Sequence, residues 1–124
     1  MVKILCIALG GALGALSRYG LGEAVNKVVG SEFPWGTLLV NLSGCLVFGV
    51  LAGLAEERIP LSEELRMLLF VGFLGAFTTF STFAFHSGQF MEQGQWGWLI
   101  ANVLLSNVLG IALLLGGLFL GRNI

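Results

Sequence analysis

The sequence predicts an all-α membrane protein with four transmembrane helices, the third of which is broken near the middle of the membrane. Hydrophobic residues make up 56% of the 124 residues and charged residues only 10%, whereas a soluble domain has about 25% charged residues. The mean hydropathy is +0.94. In the third apolar run, the hydroxyl-bearing and aromatic residues 78–82 form a polar cluster. Lipid offers no hydrogen bonds, so such a cluster at depth must face protein or line a water or ion pathway.

We place the four spans at about residues 4–28, 35–55, 63–90 and 97–121. At about 20 apolar residues per helix, they use most of the chain. We therefore expect a single transmembrane domain over residues 1–124, with short loops and no soluble domain. Ser62 is expected to cap the third helix, with Glu63 and Glu64 in its first turn.

The charge pattern gives a weak orientation signal. With four spans, both termini and the middle loop lie on one side, and that side has Lys3, Arg58, Arg66 and Arg122. This bias favours cytoplasmic termini, but so few charges also allow a chain to insert in both orientations. The net charge of −1 argues against nucleic acid as a partner. Cys6 and Cys45 lie within apolar spans and are interpreted as small packing residues.

Four short helices cannot easily enclose a pore and also shield it from lipid, so we expect an oligomer. Glycine is abundant, with 19 residues. The small residues at positions 10, 11, 12, 14 and 15 have the spacing that lets membrane helices approach closely.

Several polar residues lie deep in the first two spans. Arg18 is about 15 residues into its span, roughly 22 Å along the helix, and such a cation either has a functional partner or extends to the interface. Thr37 and Asn41 are four apart and share a helix face. The Asn41 amide is consistent either with donors for an anion or with a bond between helices.

The last two spans provide aromatic and polar candidates. Phe80 and Phe83 are three apart, and their positive ring edges are suited to an anion in a dry site without a fixed charge. Asn102 and Ser106 are four apart and predict a polar stripe on the fourth helix. No acidic residue lies in the middle of a span, which weakens a proton-coupled mechanism.

Three segments together resemble the Fluc (CrcB) family of fluoride channels. They are residues 10–19 (GGALGALSRY), 35–44 (WGTLLVNLSG) and 72–83 (GFLGAFTTFSTF). Each glycine-rich string is weak evidence alone, but all three in this order are highly specific. The resemblance spans the whole chain, including its length and its four-span layout.

The resemblance implies an antiparallel, dual-topology homodimer in the lipid bilayer of the inner (plasma) membrane, with two pores for fluoride. The activity that it implies is passive and selective fluoride export, which protects the cell and involves no enzymatic reaction. It further implies a structural sodium ion on the dimer axis, bound by backbone carbonyls at the break in the third helix.

Carried onto this sequence, the sodium ligands would be the carbonyls of Gly75 and Thr78. The pore would have the amide of Asn41 and the rings of Phe80 and Phe83, with Arg18 as the motif arginine. Ser81 and Thr82 would lie beside the pore or support the break. Asn102 departs from the family, which often has a tyrosine four residues before the serine that is Ser106 here. We expect the hydrogen-bonding track to survive with an altered width or rate.

Three other interpretations remain open. A small multidrug-resistance exporter is also a four-span, dual-topology dimer, but it needs an acidic residue at depth, and only Glu23 approaches that position. A proton-coupled fluoride carrier would need Glu23 and His86 to act together. A structural subunit without transport leaves the polar cluster of residues 78–82 unexplained.

Overall fold

The computed structural model describes all 124 residues, and it is helical throughout apart from short loops. The helices are α1 (Val2–Val29), α2 (Trp35–Glu57), α3 (63–77), α4 (Phe80–Glu92) and α5 (Trp96–Asn123). Helices α3 and α4 together form the third span, Glu63–Glu92. Four spans are long and apolar enough to cross a membrane, which confirms the expected number.

The helix ends follow from local capping. Gly30, with φ of 52°, ends α1 by adopting the left-handed conformation, and its N–H donates to the Asn26 carbonyl. The Ser62 hydroxyl accepts a hydrogen bond from the Leu65 N–H at 3.2 Å, so the expected cap of α3 is confirmed. Two segments that the sequence did not predict have π-helical geometry, Met67–Leu74 in α3 and Leu105–Leu109 in α5.

Glycines allow two pairs of helices to pack with their backbones in contact. Helix α1 packs on α3, where a Cβ on Gly10 or Gly14 would overlap the backbone carbonyl of Leu68 or Phe73. Helix α2 packs on α5 in the same way, through Gly49, Gly53, Gly117 and Gly121. Close backbone approach of this kind supplies van der Waals packing where lipid gives no hydrophobic drive between helices.

Ion pairs fasten one end of the bundle. Lys3 at the start of α1 pairs with Glu63 of α3 at 2.6 Å, and Arg122 at the end of α5 pairs with Glu56 of α2 at 2.7 Å. Both chain termini and the α2–α3 loop therefore lie at the same end, as an up-and-down order of four spans requires.

Aromatic residues close the opposite end. Phe33, in the loop after α1, is 2% exposed, and its ring centroid lies 4.8 Å from that of Trp35 and 5.3 Å from that of Trp98. Phe90 of α4 completes the contact. This cluster joins three helices at the level where interfacial tryptophans are expected.

Candidate functional site

Helical geometry in the third span is interrupted at two threonines. Thr78 and Thr79 have extended backbones, with φ and ψ of −82° and 155° and of −145° and 113°. The Thr78 N–H and hydroxyl both donate to the Leu74 carbonyl, at 3.1 and 3.0 Å, which closes the last turn of α3. The Thr79 hydroxyl then caps α4 by accepting from the Thr82 N–H at 3.2 Å.

The side chain of Asn41 pairs with the interrupted backbone. Its Oδ1 accepts a hydrogen bond from the Thr79 N–H at 2.7 Å, and its Nδ2 donates to the Thr79 carbonyl at 3.0 Å. One amide thus makes two bonds across α2 and the third span, and one N–H of the amide is left for another acceptor.

These bonds redirect two N–H groups away from the helix. In an unbroken α-helix the N–H groups of Thr79 and Thr82 would donate to the carbonyls of Gly75 and Thr78. Here those N–H groups donate to Asn41 and to the Thr79 hydroxyl instead. The carbonyls of Gly75 and Thr78 are therefore released from the bonds that a continuous helix would give them.

A cavity of about 330 Å³ lies beside the interruption and is lined in part by Thr78 and Thr79. We refer to it as the upper cavity. None of its 14 lining residues has a charged side chain. Phe80 and Phe83 both line it, with ring centroids 5.6 Å apart and a tilt of 50°. Six of the expected site residues meet there: Gly75, Thr78, Asn41, Phe80, Phe83 and Ser106. Cys45 lines the same cavity, one helical turn after Asn41.

A second cavity, of about 260 Å³, has a more polar lining than the upper cavity. We refer to it as the lower cavity. Thr37, Thr82 and Arg18 line it, together with Glu23. Thr37 and Asn41, which were expected to share one face, thus line two cavities that follow one another along α2. Thr79 lines both cavities and lies between them.

Two expected site residues lie outside both cavities. Asn102 is 2% exposed, and its amide donates to the Ser87 hydroxyl at 3.0 Å, which connects α5 to α4. Asn102 thus lines neither cavity, whereas Ser106 lines the upper one. Ser81 is exposed and contacts the Thr79 hydroxyl at 3.3 Å, so it supports the interruption.

Two residues of the site were missed from the sequence. Thr79 gave no signal beyond its place in the polar cluster, because its role depends on Asn41, 38 residues away. Asn107 lines the upper cavity beside Ser106, and its Nδ2 donates to the Val103 carbonyl at 2.7 Å. Ser106 and Asn107 both lie within the π-helical segment Leu105–Leu109. Such segments are frequent at functional sites.

Comparison with known proteins identifies the family of this chain. The family model described as "CrcB-like protein, Camphor Resistance (CrcB)" matches residues 5–118. The chain belongs to the CrcB family. This membership confirms the resemblance that the three glycine-rich segments indicated.

Several members of the CrcB family are similar in sequence to this chain over almost its whole length. A protein of Maridesulfovibrio salexigens is 47% identical over 124 residues, which cover 100% of this chain and 98% of the relative. Proteins of Solidesulfovibrio magneticus and Nitratidesulfovibrio vulgaris are 48% and 50% identical, each over 98% of both chains. All three bear the name fluoride-specific ion channel FluC.

Proposed function

We propose that this chain is a fluoride-specific ion channel that exports fluoride passively and electrogenically, and so lowers its concentration in the cytoplasm. The structural observation behind this proposal is the upper cavity, where an amide, hydroxyl groups and two tilted phenyl rings meet without a charged side chain. Such groups can replace the water around a small anion, yet they hold it weakly enough to let it leave. The names of the near full-length relatives support the same function.

The proposed path runs from the lower cavity, past Thr79, into the upper cavity. Arg18, with Thr37 and Thr82 beside it, provides a cation and hydroxyl groups in the lower cavity, and these attract an anion before it reaches the uncharged upper cavity. Asn41, Phe80, Phe83 and Ser106 then provide the uncharged contacts of the upper cavity. Asn102 and Ser81 support this path from outside, through Ser87 and Thr79.

The assembly that we propose is an antiparallel, dual-topology homodimer with two pores. The exposure of Phe80 supports it, since 78% of this residue, which lines the upper cavity, is uncovered in one chain. Gly75 is also exposed. A second copy covering this face would shield the pathway from lipid, and the weak charge bias of the loops allows both orientations.

A structural sodium ion fits the interruption of the third span. Thr78 and Thr79 are about halfway along the 30 residues of Glu63–Glu92, which supports a position near the middle of the bilayer. The released carbonyls of Gly75 and Thr78 are hard oxygen ligands, and two copies would together supply four of them. When bound, the sodium ion would supply positive charge, and the Gly75 and Thr78 carbonyls of the two copies would hold it.

The membrane of residence that we propose is the inner (plasma) membrane, where fluoride leaving the cytoplasm must cross. The chain is a multi-pass membrane protein with four spanning helices. Its lipid-facing surface is apolar, as the exposed Leu9, Leu16 and Phe119 illustrate.

A channel is preferred to a proton-coupled carrier because of where the two titratable candidates lie. His86 lines neither cavity, and Glu23 lines only the lower one. A proton relay between them would therefore have to leave the proposed path to reach His86. Replacing both side chains, as Glu23→Gln with His86→Ala, is expected to leave fluoride transport largely intact, whereas lost transport in an assembled protein would favour the carrier.

The test of the proposed site compares phenylalanines in liposomes. Phe80→Ile and Phe83→Ile are expected to abolish fluoride efflux, measured with a fluoride electrode, because each removes a ring edge from the path. The matched control is Phe85→Ile, since Phe85 is on the same helix, is 62% exposed and lines neither cavity. Gel filtration checks that all three variants remain dimers. Wild-type efflux in either pore variant would contradict the assignment.

A further inference from the structure

Thr79, which the sequence did not single out, lies where the two cavities and the helix interruption of the candidate site meet. It is 7% exposed, it lines both cavities, and it is one of the two residues that leave helical geometry. Buried hydroxyl groups in membrane proteins need partners, and the partners of this one are all in the interrupted segment.

The hydroxyl of Thr79 has its donor and acceptor roles assigned by its neighbours. It donates its single proton to the Thr82 Oγ1 at 3.0 Å. Its lone pairs accept from the Thr82 N–H at 3.2 Å and from the Ser81 hydroxyl at 3.3 Å. The side chain is thus fully used within the protein, and it acts on an ion only through other groups.

Thr79 is involved in releasing the Gly75 and Thr78 carbonyls at the interruption. Its own N–H, bonded to Asn41, is the one that would otherwise occupy the Gly75 carbonyl. Its hydroxyl holds the N–H of Thr82, which would otherwise occupy the Thr78 carbonyl. Without the hydroxyl, the Thr82 N–H loses its partner, and it regains one at the Thr78 carbonyl if Thr79 changes from its extended conformation to a helical one.

We propose that Thr79 is a positioning residue, whose hydroxyl keeps the Thr78 carbonyl free to bind a cation at the interruption. This inference rests on the sodium site of the proposed function. The side chain itself does not touch the cation. Serine can perform the same task because it has the same hydroxyl, whereas valine has the shape of threonine without it.

The test measures sodium binding by its effect on unfolding, independently of transport. The midpoint of thermal unfolding of the purified, full-length protein is measured in sodium and in N-methylglucamine solutions. The wild type and Thr79→Ser are expected to show the same stabilisation by sodium. In Thr79→Val the apparent sodium affinity is expected to fall about fivefold to thirtyfold, which corresponds to a competing hydrogen bond of about 1–2 kcal/mol from the Thr82 N–H to the Thr78 carbonyl.

A matched control separates this effect from the general loss of a cap. Ser62 caps α3 at its exposed end, with a bond to the Leu65 N–H of the same 3.2 Å length. Ser62→Ala is expected to keep the sodium-dependent shift, even where its unfolding midpoint is lower in both solutions.

The outcomes distinguish the role of the Thr79 hydroxyl from the existence of the sodium site. A folded Thr79→Val with the wild-type sodium shift would overturn the role of the hydroxyl, and so would loss of the shift in Thr79→Ser, which remains informative where the valine variant does not fold. A wild type without any sodium shift would remove the sodium site and this inference together. Fluoride efflux from the same preparation would then still report on the channel itself.

Discussion

Replacing Asn41 by leucine is the change that most directly separates the architecture of the site from its chemistry. Leucine is similar in size but makes neither of the two hydrogen bonds that join Asn41 to the Thr79 backbone, at 2.7 and 3.0 Å. Thr79 is 7% exposed, so water does not replace these bonds easily. The perturbation therefore falls on the interruption of the third span.

The expected cost follows from the groups left without partners. Leaving a buried N–H unbonded costs about 1–3 kcal/mol, and losing the second bond costs about 0.5–1.5 kcal/mol. Hydrogen bonds between membrane helices average only about 0.6 kcal/mol each, which sets the lower end. We expect Asn41→Leu to lose about 1–4 kcal/mol of stability, or less where the Thr79 N–H returns to the Gly75 carbonyl and restores a helical turn.

The assay combines thermal unfolding of the purified protein with fluoride efflux from liposomes. Asn41→Leu is expected to unfold at a lower temperature, or to fold with little sodium stabilisation, and in both cases to lose fluoride efflux. Ser43→Ala is the control, because the Ser43 hydroxyl donates to the Val40 carbonyl within α2 and joins no other helix. Asn41→Leu with the stability, sodium shift and efflux of the wild type would refute the reasoning.

A second change at the same position tests the pore. Asn41→Asp retains an oxygen for the Thr79 N–H, so the interruption keeps that partner, but it adds a negative charge to a cavity that has none. Fluoride conduction is expected to stop because of the like charge. Persistent efflux through a protein whose aspartate is shown to be ionised would mean that position 41 does not line the path.

Two further predictions concern residues in matched pairs. Asn107→Leu is expected to slow fluoride efflux because it removes a polar group from the upper cavity. The control is Asn123→Leu, which loses the same kind of 2.7 Å amide-to-backbone bond at the end of α5 and should not change the efflux rate. Equal efflux rates in both variants would exclude Asn107 from the path. Gly10→Ala is expected to destabilise the protein by about 1–3 kcal/mol through overpacking, since its Cβ would overlap the Leu68 carbonyl. The control is Gly20→Ala, whose Cβ meets open space, so this variant should be neutral or slightly stabilising in thermal unfolding. A Gly10→Ala variant as stable as Gly20→Ala would contradict the close packing of α1 on α3.

Features with a local cause could be predicted from the sequence. The four spans follow from hydropathy and length, and the Ser62 cap follows from a hydroxyl residue just before the helix. The polar cluster of residues 78–82 indicated the segment where helical geometry is interrupted, because its hydroxyl groups cannot remain unpaired in lipid.

Features that depend on how distant helices align could not be predicted in the same way. The pairing of Asn41 with Thr79 requires the register of α2 against the third span, and nothing in either segment alone specifies it. Asn102 has the spacing of a stripe with Ser106, yet its amide bonds to Ser87 once α4 and α5 pack together. The π-helical geometry of Leu105–Leu109 also has no signature in the sequence, since the apolar periodicity of a helix corresponds to 3.6 residues per turn.

The most direct test of the central claim is fluoride efflux from liposomes that contain the purified wild-type protein, with potassium inside and valinomycin added. Chloride in place of fluoride provides the comparison. We predict rapid fluoride release that requires valinomycin, because the anion crosses alone and its charge must be balanced, together with no chloride release. Absence of fluoride release from demonstrably dimeric protein, or equal release of chloride, would contradict a fluoride-selective channel.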